Sequence, residues 1–428
     1  MPDGSATAHL YRPKLITVFS EGYSVNALRK DAFAAITVAI VALPLSMAIA
    51  VASGVTPERG LYTAIVGGFI VSLLGGSRVQ IGGPAGAFIV LVAAAATEHG
   101  VEGLLLAIML SGGALLTIGA LRIGALINYI PGSVIVGFSC GIAATILASQ
   151  IKDLAGLSLS GAEPGHFFPK LIVLAHALPT VNWATLVLGA GSAATIFLVR
   201  WWRPLWPGML MAVAGCSIAT YALHLPVETI GSHFGGVPSG PPQFHLPTMT
   251  WDAVARVWPA ALSFTLLGGI ESLLSARVAD GLIGRRHRPN MELVAQGVAN
   301  LASPLFGGIS VTGTIARTVT NVRAGARSPV SGMLHSVALL AFMVLAAPLA
   351  NFIPLSALAG VLVVVSWGMV ERKELARLFR RWQGALVFLA TFGLTLIEDL
   401  TYGIVAGCVL AALFALASRM HDGDRLDT

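Results

Sequence analysis

The sequence predicts an all-α polytopic membrane protein of fourteen transmembrane segments, arranged as a 7+7 inverted repeat. Three observations carry that expectation. The chain is 56% hydrophobic and 11% charged, where a soluble domain carries roughly 25% charged residues. Apolar runs about as long as a bilayer core is thick recur at 32–53, 101–121, 183–199 and 328–349. The two halves also share short motifs at nearly equal offsets: "IPGSVIVGF" at 130–138 resembles "IPLSALAGV" at 353–361, and "GGPAGAF" at 82–88 has a counterpart in "TGTIAR" at 312–317. An odd number of segments per half makes the second copy enter the membrane from the opposite side. A β-barrel would instead show short alternating segments.

The elements follow in order. Residues 1–30 form a polar, cytoplasmic N-terminal segment without a cleavable signal pattern, so the first span is expected to be retained. Residues 31–224 form the first repeat, with segments centred near 43, 68, 89, 111, 141, 191 and 214. An amphipathic stretch at 166–178 lies along the interface. Residues 225–252 form an external loop without Lys or Arg. Residues 253–418 form the second repeat, with segments centred near 267, 298, 316, 338, 362, 390 and 408, and residues 419–428 form a cytoplasmic tail.

Loop charge orients these spans. With the N-terminus inside, the cytoplasmic loops carry Arg12, Lys14, Arg29, Lys30, Arg122, Arg200, Arg203, Arg285, Arg286, Arg288, Arg323, Arg327 and the stretch "ERKELARLFRR". The external loops carry only Arg59, Lys152, Lys170 and Arg256, as the positive-inside rule requires. Most of the net charge of +6 is thereby used for topology, and no nucleic-acid partner is expected. Cys140, Cys216 and Cys408 all fall within spans and lack metal-ligand spacing. No metal site, cofactor or catalytic set is expected: nucleotide loops and nucleophile–base pairs are absent from the sequence.

Segments three and ten are too short and too rich in glycine for ordinary spans. "RVQIGGPAGAF" reads as an extended piece at Val79–Ile81, a turn at Gly82-Gly83 and a helix starting near Pro84. "GGISVTGTIARTVTN" reads alike: Ile309–Val311 extended, a turn at Gly313 and a helix from Thr314. Irregular backbone at membrane depth is tolerated only inside protein or beside a water-filled cavity. In an inverted repeat the two half-helices point their N-termini at each other. Each N-terminus offers unpaired N–H groups and about half a positive charge, so together they make an anion site. Arg317 adds a full positive charge there.

Other readings of these residues stay open. The glycines could serve close packing alone, and Arg317 could pair with Glu271 or with helix-end carbonyls. Glu271, near the middle of segment eight, could exchange protons or bind sodium during transport, or form a salt bridge with Arg317 or Arg277. Glu292, Gln296 and Asn300 recur every fourth residue on segment nine and read as polar support for segment ten.

The stretch "GGIESLLSARVADGLIGRRHRPNMELVAQGVANLASPLFGGISVTGTIARTVTNVRAGARSPVSG", with "LPLSMAIAVASGVTPERGLYTAIVGG" and "VQIGGPAGAF", strongly resembles the SulP (sulfate permease) family of anion transporters, known in animals as solute carrier family 26. The resemblance covers residues 20–418 and is closest to bacterial members, which implies a bacterial plasma membrane location. It implies a core domain of segments 1–4 and 8–11 and a gate domain of segments 5–7 and 12–14. It places substrate between segments 1, 3, 8 and 10. Carried over by motif, the substrate contacts would be Leu45, Ser46 and Ile49 from segment one, Pro84, Ala85 and Gly86 at the start of helix three, and Thr314, Ala316 and Arg317 at the start of helix ten. Glu271 would be the segment-eight acid and carry the coupling ion. Many relatives have glutamine where Leu45 stands, so this cavity is less polar. The family usually continues into a cytosolic STAS domain, whereas this sequence reads as the membrane domain alone, stopping at "SRMHDGDRLDT". Homodimerisation and the regulation associated with that domain stay open.

The expected activity is secondary active transport of a small oxyanion (sulfate, a C4-dicarboxylate or bicarbonate) by proton symport and alternating access. Sodium-coupled bicarbonate uptake is the alternative, kept alive by Ser272 beside Glu271. An uncoupled channel is a second alternative, disfavoured by the acid at an anion site. The coupling ion is H+ on the first reading and Na+ on the second.

Overall fold

The computed structural model describes residues 11–124, 131–161, 163–203, 206–398 and 400–423. The expected N-terminal segment and C-terminal tail therefore lie partly outside the described residues, at 1–10 and 424–428.

Long apolar runs without internal turn signals become helices because a helix satisfies its own backbone. After a short helix α1 (Lys14–Ser20), α2 (Val25–Ala52) starts where the Ser24 side chain accepts a hydrogen bond from the Ala27 amide. It therefore begins six residues before the boundary expected at 31. Helix α3 (Pro57–Tyr62) continues through a π-helical turn (Thr63–Gly67) into α4 (Gly68–Leu74). Strand β1 (Gly82–Gly83) and a 3-10 turn (Gly86–Phe88) lead into α5 (Ile89–Ala120). The backbone of α5 breaks at Gly100, where φ is 69°, between the centres expected for segments three and four.

The rest of the first half comprises α6 (Gly132–Ala155), the amphipathic α7 (Phe167–Ala177), α8 (Trp183–Trp202) and α9 (Gly208–Ala222). The expected loop at 225–252 contains a short helix, α10 (Ile230–Phe234), held by a Thr229–Ser232 capping box. The second half comprises α11 (Trp251–Ile283), α12 (Pro289–Leu305), β2 (Thr312–Gly313), α13 (Ile315–Arg323), α14 (Val330–Ala350) and α15 (Leu355–Met369), then α16 (Arg372–Leu378), α17 (Trp382–Ile397) and α18 (Leu400–Gly423). Helix α18 runs past the end expected at 418. Among the described residues, seven helices are long and apolar enough to cross a membrane.

Two groups of helices pack internally. In one, α5 lies along α12 and α11, and α2 along α14. In the other, α15 lies against α6 and α8, and α17 against α18 and α6. The α5–α12 seam is tight because small residues let backbones approach: a Cβ on Gly112 would sit 2.7 Å from the Leu301 amide, and one on Gly297 2.5 Å from the Leu116 amide.

The two broken segments meet. Strands β1 and β2 pair antiparallel, Gly82 opposite Gly313 and Gly83 opposite Thr312. The glycines expected to turn the chain are thus strand residues. Both helices also start later than expected. Pro84 and Ala85 precede the first helical turn, Ala85 being extended at φ −119°, ψ 147°. Thr314 is extended as well, because its amide and hydroxyl both donate to the Ile81 carbonyl, at 2.9 and 3.0 Å.

Candidate functional site

The site is built at this strand crossing. Thr314, just ahead of α13, and Thr318 and Asn321 on it together grip the extended 79–81 backbone. The Ile81 amide donates to the Thr318 hydroxyl at 3.1 Å, and Asn321 Nδ2 donates to the Val79 carbonyl at 2.9 Å. From α12, Asn300 does the same for the other strand. Its Nδ2 donates to the Val311 carbonyl at 2.8 Å, and its Oδ1 accepts from the Val311 amide at 2.9 Å. Asn300 therefore supports segment ten, as expected. Glu292 instead serves the first broken segment: its Oε2 accepts from the amides of Gly76 and Ser77 at 2.8 and 3.1 Å. The π-helical turn contributes Thr63, whose hydroxyl accepts from the Ile309 amide at 2.7 Å.

Arg317 projects from the first turn of α13 across β1. Gly83, at φ 156°, permits this approach, since a Cβ there would lie 2.4 Å from Arg317 Nη1. The guanidinium is 1% exposed. Its Nη2 donates to the Ser46 hydroxyl at 3.0 Å and to the Pro84 carbonyl at 3.3 Å. Its Nε and Nη1 have no hydrogen-bond partner among the described residues. Among the described residues no carboxylate forms an ion pair with it, so the expected alternative of an Arg317–Glu271 salt bridge is not what the structure has. Glu271 Oε2, on α11, is likewise buried without a hydrogen-bond partner. A buried polar atom without a partner is costly, which makes both groups stand out from structural ion pairs.

Around Arg317 the structure gathers the other sequence-derived candidates unevenly. Leu45, Ser46 and Ile49 are buried on α2, with Ser46 touching Arg317 directly. Pro84 meets Arg317 through its carbonyl. Ala316 is exposed, whereas Ala85 is buried, so only the first presents an open face. A Cβ on Gly86 would come within 3.8 Å of Ile146 on α6 and Val365 on α15, placing this residue where the two helix groups meet. Neither helix start carries a side-chain cap, so first-turn N–H groups remain for a ligand. Ser272 is buried beside Glu271, where its hydroxyl and carbonyl accept from Gln80 Nε2 at 3.2 and 3.3 Å.

Sequence reasoning missed Gln80, Thr318 and Asn321. The spacing of 314, 318 and 321 was the available signal for two of them. An apolar crevice of about 370 Å³ between α5, α11 and α18, lined in part by Leu115, Ile270 and Cys408, does not include Arg317. Its one hydroxyl, Thr265, already donates to the Ala261 carbonyl.

The chain as a whole has counterparts in known proteins. The model of the sulfate permease family matches residues 28–391. The chain belongs to the sulfate permease family. This family member is 41% identical over 409 residues to the putative sulfate transporter YvdB of Bacillus subtilis, covering 95% of this chain and 77% of that one. It is 30% identical over 402 residues to the bicarbonate transporter BicA of a Picosynechococcus species, covering 91% and 70%. The solved transmembrane domain of a cyanobacterial BicA superposes with a TM-score of 0.77 at 27% identity, covering 91% of this chain and 98% of that one. Murine solute carrier 26 family member A9, an anion transporter solved in an inward-facing state, shares the fold with a TM-score of 0.87 at 17% identity, covering 98% and 73%. The chain is accordingly a multi-pass membrane protein of a family of anion transporters, not an enzyme.

Proposed function

We propose that this protein is a secondary active transporter of small oxyanions, working by proton symport and alternating access. The observation that carries this reading is Arg317: a buried guanidinium with two nitrogens unpartnered and, among the described residues, no carboxylate paired with it. It lies where β1 and β2 bring two uncapped helix starts together. An oxyanion would accept from Arg317 Nη1 and Nε and from first-turn amides. Leu45, Ser46, Ile49, Pro84, Ala85, Gly86, Thr314 and Ala316 would frame it.

The same reading makes fourteen membrane segments of the helices. It counts α3 and α4 as one span and the two arms of α5 as two, in a 7+7 inverted repeat. One group of helices, around α2, α5 and α11–α14, acts as the moving core. The other, around α6, α8 and α15–α18, acts as the gate. Both termini lie on the cytoplasmic side of a bacterial plasma membrane. Glu271 carries the coupled proton: protonating it removes a negative charge from beside the anion.

A second reading, sodium-coupled bicarbonate transport, is favoured by the likeness to BicA and by the Ser272 hydroxyl next to Glu271. Radiolabelled uptake into proteoliposomes decides between them. Sulfate, a C4-dicarboxylate and bicarbonate are offered under imposed pH or sodium gradients. Accumulation driven by an inward proton gradient is the expected result. Dependence on sodium alone supports the second reading, and no accumulation of any of the three overturns both.

A further inference from the structure

The chain ahead of the first long helix is bonded to the ends of other helices. The Tyr11 hydroxyl donates to the Ala120 carbonyl at the end of α5 at 2.6 Å. The Lys14 amide donates to the Gly75 carbonyl just after α4 at 2.9 Å, and Lys14 Nζ donates to the Arg286 carbonyl at 2.8 Å. Arg288 Nη1 donates to the Thr17 hydroxyl at 2.9 Å and to the Arg12 carbonyl. Arg78 Nη2 donates to Glu21 Oε2 at 2.6 Å. Residues 11–21, with α1 at their centre, therefore lie as a strap across the α4–β1 and α11–α12 connections.

The outward side of this strap is apolar as well as basic. Helix α1 buries Val18 and exposes Ile16 and Phe19, at 48% and 54%, one turn apart on the same face. Val25 and Leu28, at the start of α2, are exposed too. Single exposed apolar residues need no explanation, but four large ones within thirteen positions form a patch. Only residues 21–24 separate α1 from α2, a reach of roughly 18 Å at most. Helix α2 is long and apolar enough to cross a membrane. Helix α1 is thus tethered near the level where α2 leaves the bilayer. There an amphipathic helix lays its apolar side chains into the headgroup boundary.

Charge selects among the lipids. Arg12, Arg285 and Arg286 are exposed. The acids bonded into this region are already engaged. Glu21 pairs with Arg78, Asp280 pairs with His287 at 2.6 Å, and Asp31 accepts from the Tyr23 hydroxyl and from the Arg327 and Ser328 amides. Among the described residues, none of Arg12, Lys14, Arg285, Arg286 and Arg288 forms an ion pair with a carboxylate. Unpaired cations flanking exposed apolar side chains complement a surface that is both anionic and apolar. A free phosphate offers the charge alone, and a neutral leaflet the apolar boundary alone.

We propose that α1 and the cations beside it dock on the membrane by binding the phosphate-bearing headgroups of anionic lipids, with Ile16 and Phe19 sunk among them. The Arg12, Arg285 and Arg286 guanidiniums donate to the phosphate oxygens. The lipid clamps the strap onto the α4–β1 and α11–α12 connections, so lipid that binds only the folded chain raises its stability by mass action. This contact stands or falls independently of anion binding at Arg317.

Native mass spectrometry of the full chain in detergent tests it, counting retained lipids as phosphatidylglycerol or phosphatidylcholine is titrated in. Melting temperature is followed in parallel. The native protein should retain phosphatidylglycerol in preference and melt higher with it. Arg12→Gln, Arg285→Gln and Arg286→Gln combined leave the backbone bonds of the strap in place. That variant should melt like the native protein without lipid, lose roughly tenfold or more of its phosphatidylglycerol affinity and gain less stability from that lipid. Arg12→Lys, Arg285→Lys and Arg286→Lys combined keep the charge and should behave as native. Equal retention of the two lipids by the native protein overturns the inference, as does native phosphatidylglycerol affinity in the glutamine variant. An equal fall in lipid-free melting temperature in both triple variants makes these side chains structural and overturns it too. Displacement of the lipid by equimolar inorganic phosphate assigns the site to a free anion and overturns docking on a leaflet. Ile16→Ser with Phe19→Ser should weaken retention while keeping the headgroup preference, and unchanged retention there overturns the sinking of α1.

Discussion

The two helix starts that meet at the strand crossing have similar backbones and opposite chemistry. Each follows a two-residue strand and lacks a side-chain cap. The start of α13 carries Thr314, Arg317, Thr318 and Asn321. The start leading into α5 carries Ala85, Ala87 and Phe88, with Phe88 stacked on Phe264 of α11 at 5.9 Å between ring centres. Two similar backbones thus supply two sets of N–H groups, while one of them supplies all the side-chain charge.

Removing the charged side of that comparison should have the largest effect. Arg317→Ala should weaken anion binding by roughly a hundredfold or more, because hydrogen bonds to charged groups contribute about 1.5–3 kcal/mol each and 1.4 kcal/mol is a factor of ten. The protein should still assemble, since the variant also removes a buried charge. Arg317→Lys should restore only part of the affinity, lacking the planar fork. Unchanged affinity in Arg317→Ala, measured by calorimetry, would return this residue to a structural role.

Adding bulk to each start should give unequal results. Ala316 is exposed, so Ala316→Trp should block uptake in a folded protein. Ala85 is 5% exposed, so Ala85→Trp should cost about 1–3 kcal/mol of stability by overpacking. Equal melting temperatures for the two variants would erase the distinction between an open and a packed start.

Glu271 faces the same question from α11. Glu271→Gln should bind anion with affinity close to native and exchange it across the membrane, yet lose accumulation against a gradient. In the native protein, acidifying the outside should speed uptake, because protonation neutralises a charge that repels the anion. Proton-driven accumulation by Glu271→Gln at native levels would sink the coupling role.

The smallest effect should come from Thr314→Val. The Ile81 carbonyl keeps the Thr314 amide when the hydroxyl is lost, so the change should cost about 1 kcal/mol of stability. Anion affinity should stay nearly native. A large loss of affinity would mean that Thr314 touches the anion rather than the strand.

Much of this architecture was legible in the sequence. Composition and apolar periodicity announced the helices, and the amphipathic 166–178 stretch is α7. The glycine clusters marked the broken segments, and Arg317 stood out as a charge with no local reason to be there. What stayed hidden depended on partners far along the chain. Gly82, Gly83 and Gly313 read as turn residues because nothing local shows that β1 will pair with β2 some 230 positions away. Thr314 read as the first helical residue because its two bonds to Ile81 are tertiary. Gln80 could not be singled out, since its partner Ser272 lies on α11 and its side chain fits only because Gly313 has no Cβ, which would lie 1.5 Å from Gln80 Nε2. Ala85 and Ala316 looked equivalent by motif, and only packing separates them.

The two-residue strand pair also sets how this chain tolerates changes of length. Side chains alternate faces along a strand, so a slip of one residue turns every position over. One residue inserted between 75 and 81 would slide Gly82 into the place of Gly83 and Ile81 into the place of Gly82, where a Cβ would lie 2.8 Å from the Val71 side chain. An insertion of the same size in 236–249, which joins α10 to α11, leaves that register untouched. Across natural variants of this protein, loop length should therefore drift freely in the second stretch and stay constant in the first, whatever happens to the identities of the residues between.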